Sequence, residues 1–171
     1  MNKLLFIMIL TCFSLVGGAQ DFFNENIRGN YHYIILANPT VSNIETIRFL
    51  VDNHILLTDR KKVQFVGIYH KNQAYDFQQS IDLIREKRLT QFHLQQVSGE
   101  LTDDDIFTKN VCSNDFRTIF KNSIGIFFFG GPDVQPEIFG EQNTCSGVTD
   151  PVRHRFEVSL LFHLLGSSRN P

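Results

Sequence analysis

Two adjacent glycines open a loop that could stabilise negative charge during catalysis. Gly130 and Gly131 directly follow the most apolar run of the chain outside its N-terminus, and Asp133 and Pro136 come soon after them. Glycine permits a tight turn, and exposed N–H groups at such a turn can hold a developing oxyanion. Clusters of glycine and proline also mark ordinary surface turns, so the dipeptide alone leaves a catalytic and a purely structural interpretation open.

The three cysteines do not have a pattern typical of a nucleophile. A nucleophile elbow places its residue on a sharp turn between a strand and a helix. Cys12 lies in the N-terminal apolar run, Cys112 precedes a predicted helix, and Cys145 lies in a loop before Ser146 and Gly147. Because no apolar strand leads into Cys145, we do not expect it to act as a nucleophile.

Other catalytic signatures are absent from the sequence. It contains no Gly-x-Ser-x-Gly, His-Glu-x-x-His, P-loop or Cys-x-x-Cys motif, so serine hydrolase, zinc protease, nucleoside triphosphatase and dithiol redox chemistry have no local support. The acidic segment 101–105 suits a helix start, with Thr102 and Asp105 in capping positions, better than a metal site. The six histidines lack ligand spacing, and we expect neither a metal nor a cofactor.

The N-terminus has the features of a secretory signal. A charged start is followed by an apolar run over residues 4–16 and by small residues at 17–19. We expect residues 1–19 to be removed and residues 20–171 to form an exported domain, periplasmic or secreted. The apolar run is shorter than the ~20 residues of a spanning helix, so a stable membrane anchor fits less well, as does a lipid on Cys12.

Export would place the chain in an oxidising compartment, where cysteines can form disulfides. Cys112 and Cys145 are the two cysteines that would remain after processing. A disulfide between them and a pair of free thiols are both compatible with the sequence, because sequence alone does not show whether the two residues are close in space.

Short β-rich runs and amphipathic stretches alternate along the mature chain. Strands are predicted over residues 31–37, 63–69, 91–97 and 124–129. The last run is almost unbroken in its apolar character, which is typical of a strand that is covered on both faces. We therefore expect residues 124–129 to form a central strand of the sheet.

Helices are predicted between the strands and at the end of the chain. Ser42 and Glu45 have the spacing of a capping box at the start of the first helix. Asp150 as N-cap and Pro151 begin the last helix, which ends at Gly166. The apolar residues of the remaining and last helices are Phe77, Ile81, Ile84, Phe116, Ile119, Phe120, Phe156, Leu160, Leu161, Leu164 and Leu165.

This alternation predicts an α/β fold with a doubly wound, mostly parallel sheet. Ligands of such sheets bind beyond the carboxyl ends of the strands, where residues 130–136 are expected. The chain has 171 residues, of which 42% are hydrophobic, and a formal net charge of -2. These values fit one globular domain, and without a basic stripe we expect no nucleic-acid partner.

Two motifs resemble the γ-glutamyl hydrolase branch of the class I glutamine amidotransferase-like proteins. They are Gly130-Gly131-x-Asp133-Val134-x-Pro136-x-x-Phe139-Gly140 and, at the head of a helix, Asp150-Pro151-x-Arg153-x-x-Phe156-Glu157. The resemblance covers residues 124–166 and implies a flavodoxin-like fold. It also implies that Gly130 and Gly131 supply oxyanion-hole N–H groups. The residues that it places beside the pocket are Asp133, Pro136, Arg153 and Glu157.

The same resemblance implies a cysteine amidohydrolase that cleaves γ-glutamyl amide bonds of a small substrate. In that family a Gly-x-Cys-x-Gly elbow follows this helix, and the sequence reaches Pro171 without one. We therefore expect the nucleophile, its His and its acidic partner to lie beyond Pro171. Phe129 and His154 depart from the usual pattern, which has Pro and Asp there. A non-catalytic binding or interaction domain with the same fold is the alternative.

Overall fold

Four parallel strands form the sheet in this computed structural model, which describes residues 22–25, 27–56 and 62–167. The strands are β1 (His32–Ala37), β2 (Val63–His70), β3 (Phe92–Val97) and β4 (Gly125–Phe127). Their order across the sheet is β3-β2-β1-β4, and every neighbouring pair is parallel. Each connection therefore crosses over the sheet from one strand to the next, as the alternating pattern predicts.

The helices cover both faces of this sheet. They are α1 (Phe22–Glu25), α2 (Val41–Asp52), α3 (Gln78–Glu86), α4 (Ser113–Lys121) and α5 (Pro151–Ser167). On one face Leu36 of β1 packs with Ile44 of α2, and α3 borders the same apolar cluster. On the other face Ile35 of β1 packs with Phe116 of α4 and Phe156 of α5. The predicted α/β doubly wound fold of flavodoxin-like type is confirmed.

The start of α2 differs from the predicted capping box. Thr40 precedes the helix with extended backbone, and its Oγ1 accepts a hydrogen bond from the N–H of Asn43 at 3.2 Å. Ser42 and Glu45 lie inside the helix, so the prediction that they cap it is wrong. The carboxylate of Glu45 pairs instead with Lys87 at 2.6 Å, which ties α2 to the end of α3.

The acidic segment forms a single 3₁₀ turn over Asp103–Asp105. The carboxylate of Asp105 accepts the N–H of Thr102 at 3.2 Å and its hydroxyl at 2.7 Å, so the predicted capping positions are confirmed. Asp103 accepts a hydrogen bond from Arg155 of α5 at 2.6 Å. These carboxylates therefore serve the local fold and its contact with α5.

The prediction of a central strand over residues 124–129 is wrong. β4 has three residues and lies at one edge of the described sheet, with β1 as its partner there. The inner positions belong to β1 and β2, which are the strands covered by helices on both faces. Beside β4, Ile124 is 65% exposed and Phe128 is 38% exposed. An apolar run thus borders an edge that no described strand covers.

α5 buries fewer of its apolar residues than its sequence suggests. Phe156 and Leu160 are fully buried, whereas Leu161 and Leu165 are exposed. Residues four apart share a helix face, and the second pair lies about 100° around the helix from the first.

The predicted secretory signal lies outside the described residues. Within the described ranges, no helix is both long and apolar enough to cross a membrane.

Candidate functional site at the carboxyl edge of the sheet

The loop that begins with Gly130 and Gly131 lies just beyond the carboxyl end of β4. β4 runs parallel to β1, with Leu36 opposite Phe127, so the carboxyl ends of both strands open on the same edge of the sheet. The chain leaves β1 through Asn38, which has a left-handed backbone with a φ of 55°. Two loops therefore begin side by side at the edge where α/β sheets bind ligands.

The two glycines present unengaged backbone donors. Both residues are exposed, and neither Gly130 nor Gly131 donates its N–H in a hydrogen bond to the described part of the chain. Solvent satisfies such groups in the free protein, and a ligand oxygen can replace that solvent. A Cβ on residue 130 would meet nothing within 4 Å, so the surroundings of Gly130 are open.

The surroundings of Gly131 are closed by Arg153. A Cβ on residue 131 would collide with Nη1 of Arg153 and would lie 3.1 Å from its Cζ. The guanidinium cannot move away freely, because its Nη2 donates to the carbonyl oxygen of Phe129 at 3.2 Å. Glycine at position 131 thus lets α5 reach the backbone of the loop. The resemblance places Arg153 and Gly131 at one site, and the structure brings them into contact.

Glu157 holds the other side of the Arg153 guanidinium. Nε of Arg153 donates to Oε1 of Glu157 at 2.8 Å, four residues along the same helix. The two side chains are only 11% and 16% exposed. Burial raises the pKa of Glu157, and the hydrogen bond and charge of Arg153 act against that rise. The ion pair is therefore mostly buried and holds the guanidinium in place. It contributes more to stability than an exposed ion pair does.

Asp150 anchors the start of α5 at the same edge. Its Oδ1 accepts the N–H of Arg153 at 3.0 Å, which confirms the predicted N-cap before Pro151. Its Oδ2 accepts the N–H of Ala74 at 2.8 Å, in the segment that follows β2. One carboxylate thus caps the helix and links it to a second strand-end loop. The side chain of Arg153 consequently extends from a first helical turn that is held in place by Asp150.

Asp133 and Pro136 shape the loop itself. Oδ2 of Asp133 accepts the N–H of Gly147 at 3.1 Å, which joins the two ends of the long loop before α5. Pro136 begins a short 3₁₀ helix that ends at Gly140, where a φ of 78° favours glycine. These contacts give Asp133 and Pro136 structural roles in the conformation of the loop.

His154, which the sequence analysis noted only as a departure from the family pattern, is a buried residue of this site. It is 3% exposed, and neither ring nitrogen has a hydrogen-bond partner among the described residues. Burial lowers its pKa, as does the charge of Arg153, while Asp150 and Asp133 act in the opposite direction. Two sequence signals point to this residue: it is next to Arg153, and it stands where the family pattern usually has Asp.

The cysteines that remain after the predicted processing are both free. Cys112 is buried, and burial followed by the charge of Asp115 raises its pKa to about 11. Its Sγ donates to the carbonyl oxygen of Gly99 at 3.3 Å. Cys145 is exposed, with its Sγ 3.9 Å from the hydroxyl of Thr144. Of the two possibilities that the sequence left open, the structure therefore has free thiols.

Residues 22–25, 27–56 and 62–167 contain no cluster of three or more His, Cys, Asp or Glu side chains that could hold a metal ion. The edge site itself contains the backbone N–H groups of the two glycines, the guanidinium of Arg153 and the buried imidazole of His154. No family model, no curated protein and no solved structure matches this chain.

Proposed function

We propose that this chain supplies the oxyanion loop of an exported γ-glutamyl hydrolase-like cysteine amidohydrolase. The substrate is a small molecule with a γ-glutamyl amide bond. The observation that carries the proposal is the pair of exposed, unengaged N–H groups at Gly130 and Gly131, beyond the carboxyl end of β4. The sequence motifs that resemble the family fall on the same residues, and the fold is of the type that the resemblance implies.

The proposed chemistry is acyl transfer. A cysteine thiolate attacks the γ-carbonyl carbon, the carbonyl oxygen takes up negative charge, and the N–H groups of the glycine loop donate to it. A histidine that accepted the thiol proton returns it to the departing amine, and water then hydrolyses the thioester to release glutamate. Arg153 and Glu157 act as positioning residues, because they hold the loop backbone through the carbonyl of Phe129.

The proposal requires a nucleophile from outside these 171 residues. Cys112 is buried with a raised pKa, so its thiol stays protonated near neutral pH. Cys145 lies in the loop before α5 and not between a strand and a helix, which a nucleophile elbow requires. We expect the chain alone to lack amidohydrolase activity.

Fragment complementation tests this function. The chain is co-expressed with a polypeptide that carries the Gly-x-Cys-x-Gly elbow and the following histidine of a γ-glutamyl hydrolase, and release of glutamate is measured. Activity is expected only when both polypeptides are present. Gly131→Val should lower kcat by ~10²-fold or more with little change in KM, because the new side chain collides with Arg153 and displaces the loop backbone that carries an oxyanion donor.

The matched control is Gly29→Val, at an exposed turn where a Cβ meets nothing within 4 Å. It should leave the complemented activity unchanged. Equal turnover of folded Gly131→Val and wild type would refute the role of the loop. Binding of γ-glutamyl substrate without turnover in any complemented pair would favour the alternative, a non-catalytic binding domain.

A further inference from the structure

A cavity lies between α4 and α5 and shares no residue with the edge site. Its volume is about 630 Å³, which is in the range of pockets that hold small organic ligands. α4 contributes Ser113, Arg117, Phe120 and Lys121, and the wall is completed by Lys109, Phe162, His163 and Gly166. The described residues of the wall therefore combine aromatic, hydroxyl and cationic groups, and none of them is a carboxylate.

The polar wall of the cavity is held by a chain of hydrogen bonds. Nδ1 of His163 is 2.7 Å from the carbonyl oxygen of Ser159, which can only accept, so this nitrogen carries the proton and donates. Nε2 then accepts from the hydroxyl of Ser113 at 2.9 Å. These bonds fix the imidazole between α4 and α5. The cavity wall is thus formed before any ligand binds, which lowers the cost of binding.

The apolar wall extends onto an exposed aromatic surface. Phe162 is 39% exposed and contacts Phe107, with ring centroids 5.6 Å apart. Phe107 in turn lies 6.1 Å from Phe139, which is 60% exposed. Large exposed apolar groups beside a cavity are typical of a ligand-binding surface. A ligand with an apolar tail could bury that tail against these aromatic rings.

The cationic residues of the cavity favour a negatively charged group at the other end of the ligand. Lys109, Arg117 and Lys121 line it, and none of the three forms an ion pair within the described part of the chain. A carboxylate on an apolar tail would meet both the cationic groups and the aromatic wall. We propose that this cavity binds a small amphiphilic carboxylate, of the chemical class of a medium-chain fatty acid.

Calorimetric titration with simple probes tests this site. Octanoate should bind with one site per chain, and decanoate should bind about 15-fold more tightly, since each buried CH₂ contributes about fourfold. Octylammonium, with the same number of carbon atoms and the opposite charge, should bind at least tenfold more weakly than octanoate. The double variant Arg117→Gln, Lys121→Gln should weaken octanoate binding by about tenfold without weakening octylammonium binding.

A cavity-filling variant has a matched control in this chain. Gly166 lines the cavity and Gly29 lies in a distant turn, and a Cβ on either meets nothing within 4 Å. Gly166→Phe should abolish octanoate binding, and Gly29→Phe should not change it. Octanoate binding that survives in folded Gly166→Phe overturns the proposal. Binding to phosphatidylglycerol vesicles without saturable octanoate binding also overturns it, in favour of a membrane-facing surface.

Discussion

The guanidinium of Arg153 fills the space that a side chain on residue 131 would need. Two partners keep it there, since Arg153 binds the carboxylate of Glu157 and the carbonyl oxygen of Phe129. Gly131 is thus required by a close contact with Arg153. Gly131, which the sequence motif assigns to the oxyanion hole, is therefore also needed for α5 to pack against the loop.

We expect this contact to separate the two glycines in a stability measurement. Gly131→Ala should lower the free energy of unfolding by about 1–3 kcal/mol, because the new Cβ displaces Arg153 from its partners. Gly130→Ala, with open surroundings, should change it by less than about 0.5 kcal/mol. Denaturant unfolding of both variants decides the matter. Equal effects of the two substitutions would contradict the contact.

The raised pKa of Glu157 predicts a pH dependence. Because burial raises this pKa, the folded state holds the carboxyl proton more tightly than the unfolded chain does. The free energy of unfolding should therefore fall as pH rises from the ordinary value of 4.5 through the folded pKa. Glu157→Gln removes the titrating group. The free energy of unfolding of the wild type should therefore fall relative to that of this variant over the same range of pH. A difference that stays constant or grows in favour of wild type would refute the assignment.

Cys112 and Cys145 should differ in reactivity. With a pKa of about 11, only ~0.1% of Cys112 thiol is ionised at pH 8, and the residue is also buried. Iodoacetamide should therefore label Cys145 in the folded chain and Cys112 only after denaturation. Peptide mass mapping gives the extent of labelling at each site. Comparable labelling rates in the folded chain, or a disulfide between the two, would be inconsistent with the structure.

The edge of β4 should promote association between copies of the chain. Ile124 beside this edge is 65% exposed, and an unpaired apolar edge is a template for strand pairing. Ile124→Lys should lower the associated fraction in sedimentation velocity. The matched control is Phe49→Lys on α2, where the replaced side chain is 59% exposed but lies on a helix. Equal effects of both variants would assign the association to general hydrophobicity.

Periodicity and turn chemistry were sufficient to predict most of the fold. The runs that became β1, β2 and β3 are bounded by local signals, and Asp150 with Pro151 has the local pattern of a helix start. The position of β4 depends on which strands pair with it, and a local pattern does not contain that information. Its apolar run suggested a central strand, and it lies at an edge of the described sheet.

The candidate site shows the same division between local and long-range signals. Arg153 and Glu157 are four residues apart in a predicted helix, so their ion pair follows from spacing. The contact between Arg153 and Gly131 spans 22 positions and was implied only by the family resemblance. The burial of His154 depends on what packs over the first turns of α5. No spacing rule in the sequence would indicate it.

Amide NMR of the ¹⁵N-labelled chain tests whether the N–H groups of Gly130 and Gly131 bind a γ-glutamyl amide. The resonances of Gly130 and Gly131 are followed while γ-glutamylglycine or its isomer α-glutamylglycine is added. We expect saturable shifts of both glycine resonances with the γ-linked peptide, because its amide carbonyl binds at their unengaged N–H groups, and much smaller shifts with the α-linked isomer. Glycine resonances that stay in place, or that move equally with both isomers, would contradict the assignment of this loop to γ-glutamyl amide chemistry.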